Sequence, residues 1–160
     1  MVSLQPLSDV NRAAAEALRV TADQQRFVST VAESLREAAA HPATHAQPWL
    51  ILADTTPVGF ALTVDEVDSP DYLPHFLWKL LIDERHQGQG HGTATLDLLA
   101  ARVRDRPGAE ALTTRVRLGE GSPIGFYERY GFERAGEVVD GEVLLHLRLR
   151  KGRRACGRQV

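Results

Sequence analysis

The stretch from Phe76 to Val103 limits what this chain can fold into more than any other. It opens with Phe76-Leu77-Trp78-Lys79-Leu80-Leu81-Ile82, apolar at every position but one, as in a buried strand. It continues through Asp83-Glu84-Arg85-His86 into a turn with glycines at 88, 90 and 92. It closes with Leu96, Leu99, Ala100 and Val103, spaced i, i+3, i+4, i+7 along one helix face. A buried strand therefore passes through a glycine-rich turn into an amphipathic helix. The first N–H groups of such a helix have no intrahelical acceptor, and the helix dipole adds partial positive charge there. Glycines remove the Cβ atoms that would hold a ligand off the backbone, so a phosphate or pyrophosphate fits. A P-loop is excluded, because no lysine stands in the turn. A dinucleotide fingerprint is disfavoured, because the third glycine comes one residue early. A tight strand–helix bend with no ligand would use the same glycines, so the turn alone leaves both readings open.

Composition narrows the class. At 160 residues, 43% hydrophobic and 25% charged, the chain is expected to be one soluble domain with a sizeable core. A net charge of −2 gives no electrostatic reason to expect nucleic acid. No apolar run approaches the ~18 residues of a membrane span, and Met1 to Pro6 does not resemble a signal peptide. Cys156 is the single cysteine, in a polar stretch, so neither an internal disulfide nor a catalytic thiol is expected. His86 and His91 lack the partners of a metal constellation. These readings predict a cytoplasmic protein with no metal, no nucleic acid partner and no membrane.

The rest of the chain supplies the frame. Val2 to Pro6 reads as a short strand, followed by a helix over Asp9 to Arg19 with Ser8 as N-cap. Asp23 caps a short turn, and a second helix runs from about Ser29 until His41-Pro42 stops it. Trp49–Ala53 and Val58–Val64 read as paired strands, with Gly59 marking a bulge or close approach. Residues 65–71 hold four carboxylates, either a solvated loop or one wall of a pocket for a cation. Leu112, Thr114, Val116 and Leu118 alternate with polar residues as a half-buried strand. Ser122-Pro123 starts a helix that Gly131 ends. Asp140-Gly141 joins two final strands as a hairpin. Residues 1–150 make the domain, and 151–160 a basic tail. The sum is an α/β (α+β) sheet with helices on its faces.

That order resembles the GCN5-related N-acetyltransferase (GNAT) fold, and two motifs carry the likeness. Gln87, Gly90 and Gly92 match the pattern Gln/Arg-x-x-Gly-x-Gly/Ala of that family's acyl-CoA pyrophosphate loop. Tyr127 to Phe132 resembles its Tyr-x-x-x-Gly-Phe element. Trp78-Lys79, Leu81-Ile82-Asp83, Gln24 and Phe27-Val28 are similar to a bacterial spermine/spermidine acetyltransferase-like branch. Glu120 and Pro123 depart from the pattern, standing where the family often has Asn and Ala.

The resemblance implies a mixed, mostly antiparallel sheet of six to seven strands, helices on both faces, and a central parallel pair that splays apart. It implies acetyl-CoA as co-substrate, with its pyrophosphate on the backbone of Gln87, Gly88, Gln89, Gly90, His91, Gly92 and Thr93. The pantetheine arm would pair with Leu81, Ile82 and Asp83. Tyr127 would be the general acid, with Glu84, His75, Glu66 or Asp71 as candidate bases beside a water relay. The acceptor would be a primary amine of a small molecule, polyamine-like on the branch likeness and the 65–71 carboxylates, and a homodimer is possible. The alternative is an acyl-CoA-binding sensor without turnover.

Overall fold

The apolar runs of the sequence pair into one sheet. In the computed structural model, which describes residues 1–149, the strands are β1 (Val2–Pro6), β2 (Gln47–Ala53), β3 (Thr56–Val64), β4 (Phe76–Ile82), β5 (Ala111–Arg117), β6 (Glu133–Val139) and β7 (Glu142–Arg148). They form a seven-stranded sheet in the order β1-β2-β3-β4-β5-β7-β6. Every neighbouring pair is antiparallel except β4 with β5. The expected tail, 151–160, lies outside the described residues.

Among the described residues four α-helices cover the sheet: α1 (Arg12–Glu16), α2 (Val31–Ala40), α3 (His91–Arg104) and α4 (Ile124–Tyr130). Leu96, Leu99 and Val103 of α3 and Tyr127 of α4 pack with Ile51, Leu77, Leu112 and Leu145 in one buried cluster. Ala15 of α1, the adjacent Leu18 and Val31 of α2 pack with Leu50, Phe60, Leu62 and Leu81 in the other. Side chains alternate across a strand, so Ile51 beside Leu50 and Leu80 beside Leu81 feed opposite clusters. Helices thus stand on both faces.

Several boundaries differ from the sequence reading for local reasons. The first helix is one short piece, because Asn11 and not Ser8 stands at its start. The Asn11 side chain accepts the Ser8 N–H at 2.8 Å and donates to the Pro6 carbonyl at 3.1 Å, tying the incoming turn to β1. The second begins at Val31 because Thr30 and Glu33 form a capping box. The Glu33 N–H donates to Thr30 Oγ1 at 3.2 Å, and the Thr30 N–H donates to Glu33 Oε2 at 3.0 Å. The Asp140-Gly141 hairpin turn holds both residues at positive φ, 51° and 78°, as a type I′ turn requires.

One feature of the sheet decides where a ligand can go. The parallel pair is joined only at Phe76↔Thr113 and Leu77↔Thr114. The Thr113 N–H donates to the His75 carbonyl at 3.0 Å, and the buried Thr114 hydroxyl donates to the Leu77 carbonyl at 2.8 Å. Beyond these bonds β4 and β5 part. β5 stays paired with β7 along its whole length, from Ala111↔Arg148 to Arg117↔Glu142.

Candidate active site

A cavity of about 1130 Å³ occupies the seam where β4 and β5 separate. Leu80, Leu81 and Ile82 line one side, Thr114 and Val116 the other, and the α3 N-terminus and Tyr127 also border it. Backbone directions along β4 follow from a single bond. The Asp83 N–H donates to the Val58 carbonyl at 2.8 Å, so Asp83 faces β3. Antiparallel pairs alternate, so the polar backbone of Leu81 also faces β3, while Leu80 and Ile82 present theirs to the seam. The Ile82 carbonyl accepts a hydrogen bond from Gln87 Nε2 at 3.0 Å.

The expected backbone trio Leu81, Ile82 and Asp83 is therefore corrected. Ile82 and Leu80 offer backbone groups to the seam, whereas Leu81 only lines it and Asp83 is committed elsewhere. The Asp83 carbonyl accepts the His86 N–H at 2.8 Å. Its carboxylate accepts the Arg19 N–H at 2.9 Å, the Arg85 N–H at 3.0 Å and Arg85 Nε at 2.8 Å. The side chain is only 1% exposed. Burial works against the charge, but the Arg85 guanidinium and the backbone donors of Arg19 and Arg85 outweigh it and hold the pKa down at about 2. Asp83 is a structural knot beneath the turn, joining β4 to the end of the first helical segment.

The turn above it has the geometry of an anion cradle. Gly88 and Gly90 lie at φ 73° and 83°, where a side chain would be strained. The N–H groups from Gln87 through Thr93 donate to no acceptor among the described residues, and intrahelical bonding resumes with the Ala94 N–H to the Gly90 carbonyl at 3.0 Å. Gln87, Gly88, Gly90, His91, Gly92 and Thr93 border the cavity; Gln89 does not. Unsatisfied donors at a helix N-terminus, continuous with a seam that has free strand-edge groups, fit a pyrophosphate followed by an amide-bearing arm. The Gln87 side chain is occupied in a reciprocal amide pair with Gln24, at 2.8 and 3.0 Å. Gly92 is glycine for another reason: a Cβ there would come within 3.0 Å of the Phe126 ring. The turn and α4 are thus in direct contact.

That contact brings Tyr127, the next residue on α4, to the cavity. Tyr127 is buried, its ring edge-on to Phe126 and Phe132 at 5.1 and 5.4 Å between centroids. Its hydroxyl bonds to no described residue, and burial raises its pKa above the ordinary 10. The group is a proton donor without a protein acceptor. Tyr130 is engaged instead, its hydroxyl donating to Asp97 of α3 at 2.6 Å.

Most of the expected bases lie elsewhere. Glu84 is exposed and does not border the cavity. His75 just precedes β4, at φ 53°, and also does not border it; its buried Nδ1 has no partner among the described residues. Most of the acidic stretch is engaged outside. Asp65 pairs with Arg106 at 3.2 Å, Glu66 pairs with Arg106 at 3.4 Å, and Asp68 pairs with His45; only Asp71 borders the cavity. Sequence reasoning gave no site role to seven charged residues that do border it: Arg26, Glu37, Lys79, Arg129, Glu142 and the β5 pair Arg115 and Arg117. Strand alternation in β5 was the available signal for the two arginines, since it sets them opposite Leu112 and Val116.

The family comparison decides what this arrangement belongs to, for the model of the acetyltransferase (GNAT) family matches residues 10–132. The chain belongs to the GNAT family. A curated relative, L-2,4-diaminobutyric acid acetyltransferase of Streptomyces avermitilis, is 32% identical over 92 residues, 58% of this chain and 50% of that protein. The chain thus spans about half the length of that relative. An aminoglycoside acetyltransferase solved with coenzyme A superposes with a TM-score of 0.71 at 18% identity, over 92% of this chain and 95% of that one. Spermidine N-acetyltransferase from Vibrio cholerae, solved with CoA and spermine, gives 0.68 at 12% identity, over 92% and 95%. At such identities the two structures establish the GNAT fold. Among the described residues no helix is long and apolar enough to cross a membrane, and no three His, Cys, Asp or Glu side chains group as metal ligands.

Proposed function

We propose that this GNAT protein transfers an acetyl group from acetyl-CoA to a primary amine of a small molecule. The observation that carries the reading is the continuity of one cavity, from the unsatisfied N–H groups of 87–93, along the parted edge of β4, to the Tyr127 hydroxyl. The turn would hold the pyrophosphate, and the seam-facing groups of Leu80 and Ile82 would hold the arm like an added strand. Bound there, acetyl-CoA supplies an activated thioester.

The chain's own groups account for the rest. Backbone N–H donors at the parted strand edge can stabilise negative charge developing on a carbonyl oxygen in a site shielded from water. Tyr127, kept protonated by burial, can donate to the departing sulfur. The attacking amine must lose a proton. Glu84 and His75 stand off the cavity, so bordering carboxylates or water receive it, and the carboxylates that border the cavity are Glu37, Asp71 and Glu142.

Two acceptor types find support. A polyamine-like acceptor rests on the branch resemblance, but the 65–71 carboxylates leave it only Asp71. An amine that also carries an acid group rests on the Streptomyces avermitilis relative's name. The test is to follow free thiol while the protein, acetyl-CoA and a panel holding both types are incubated together. Amine-dependent, saturable thiol release is expected. Thiol release no faster than background with every amine would contradict the reading.

A further inference from the structure

Resting on that transferase reading, we infer that the acceptor is amphoteric, an amine that also bears a carboxylate, and that Arg115 receives the carboxylate.

The argument starts from strand alternation. Leu112 and Val116 of β5 pack into the cluster under α3 and α4. Arg115 therefore points to the opposite face. On that face α1 and α2 cover strands β2 to β4, since Leu50, Phe60, Leu62 and Leu81 are the buried strand residues of that cluster. Among the described residues no α-helix of that cluster packs on β5 or β7 there. Arg115 stands on this face, exposed, and borders the cavity.

The charges around it are mostly neutralised in pairs. Lys79 pairs with Glu37 at 3.0 Å, and Arg117 with Glu142 at 3.5 Å. Arg26 donates to the Glu120 carbonyl at 2.8 Å. Across β7 the residue opposite Arg115 is Leu144, with Ala135 beyond it on β6. Arg115 has no carboxylate within salt-bridge distance among the described residues. Asp71, in the loop before β4, also borders the cavity and has no cationic partner among the described residues either; its carboxylate accepts only the Ser69 hydroxyl, at 3.3 Å. Among the described residues the cavity lining is thus left with two unpaired arginines, Arg115 and Arg129, and one unpaired carboxylate, Asp71; Arg129 belongs to α4, which packs on the glycine turn, so Arg115 is the cation left for the acceptor. A plain diamine would use Asp71 and leave Arg115 facing its positive charge, whereas a diamino acid satisfies both. A guanidinium also matches a carboxylate in a two-pronged hydrogen-bonded geometry.

The experiment pairs each α,ω-diamino acid of a graded chain-length series with the diamine that lacks its carboxylate, and measures kcat and KM for wild type, Arg115→Ala and Arg115→Lys. The wild type should favour the acid-bearing member by ~10- to 100-fold in kcat/KM, the range of a hydrogen bond to a charged group. Arg115→Ala should lose that preference through KM of the diamino acid while KM for acetyl-CoA holds, and Arg115→Lys should restore part of it. A wild type that prefers the diamines, or an Arg115→Ala variant whose defect lies in acetyl-CoA affinity, would overturn the assignment. Calorimetry of the diamino acids with the CoA-loaded protein separates the two claims. Arg115-dependent binding without turnover would sustain the acceptor site and sink the transferase reading; neither binding nor turnover would sink both.

Discussion

In the proposed reaction Tyr127 is the residue on which the chemistry turns, and its environment makes a specific demand. Replacing it with phenylalanine keeps the ring that packs on Phe126 and Phe132 and removes only the unpartnered hydroxyl. Tyr127→Phe should therefore lower kcat by ~10²-fold or more, the worth of a positioned acid, with CoA affinity by calorimetry little changed. Because burial raises the phenol above its ordinary 10, no loss of rate from this group is expected below about pH 10. Asp83 makes the opposite kind of demand. Its pKa is held at about 2 against an ordinary 3.8, so its stabilising effect is complete above pH 4 and is lost as pH falls from about 4 towards about 2. Asp83→Asn should lower stability at neutral pH by ~1–3 kcal/mol, since the Arg19 and Arg85 donors lose a charged acceptor, and should flatten the acid limb of the unfolding curve. A denaturant series across pH measures both.

At the scale of elements, the contact between the glycine turn and α4 is the joint that holds the proposed donor site and the proposed acid together. A methyl group on Gly92 meets the Phe126 ring at 3.0 Å. Gly92→Ala should cost ~1–3 kcal/mol as overpacking, read as a lower denaturation midpoint, and should weaken CoA binding by shifting the α3 N-terminus. Shortening the ring in the Gly92→Ala background, with Phe126→Leu, should recover part of the stability. The strand–turn–helix of 76–103 and the Tyr127–Phe132 element were legible because local pattern and fold agree there. The purpose of Gly92 was not, since its neighbour Phe126 is distant in sequence. Asp83 was misjudged for a similar reason: whether a strand-end residue faces the seam or β3 is set by pairing with Val58, which no local spacing encodes. The carboxylates of 65–71 could be read as a solvated loop or as a pocket wall because Arg102, Arg106 and His45, which hold three of them, lie on other elements. The Thr30–Glu33 box, by contrast, was written in the sequence and missed.

For the whole molecule, the sheet is continuous at both flanks and opened at its centre. Hydrogen bonds near His75, Leu77, Thr113 and Thr114 pin one end of the β4–β5 pair, and full β5–β7 pairing keeps β5 from closing the other. Two buried clusters, one on each face, brace the strands on either side of the opening. The N–H groups of the turn that continues this seam, 87–93, have no acceptor among the described residues, and on the proposed reading a bound CoA would satisfy them. Amide chemical-shift mapping of the protein titrated with CoA tests that claim most directly. The account predicts the largest shifts at Leu80, Ile82 and Gly88 through Thr93, with Leu81 and Asp83 amides, bonded towards β3, moving less. Shifts centred on another surface, with the 88–93 amides unmoved at saturation, would contradict it.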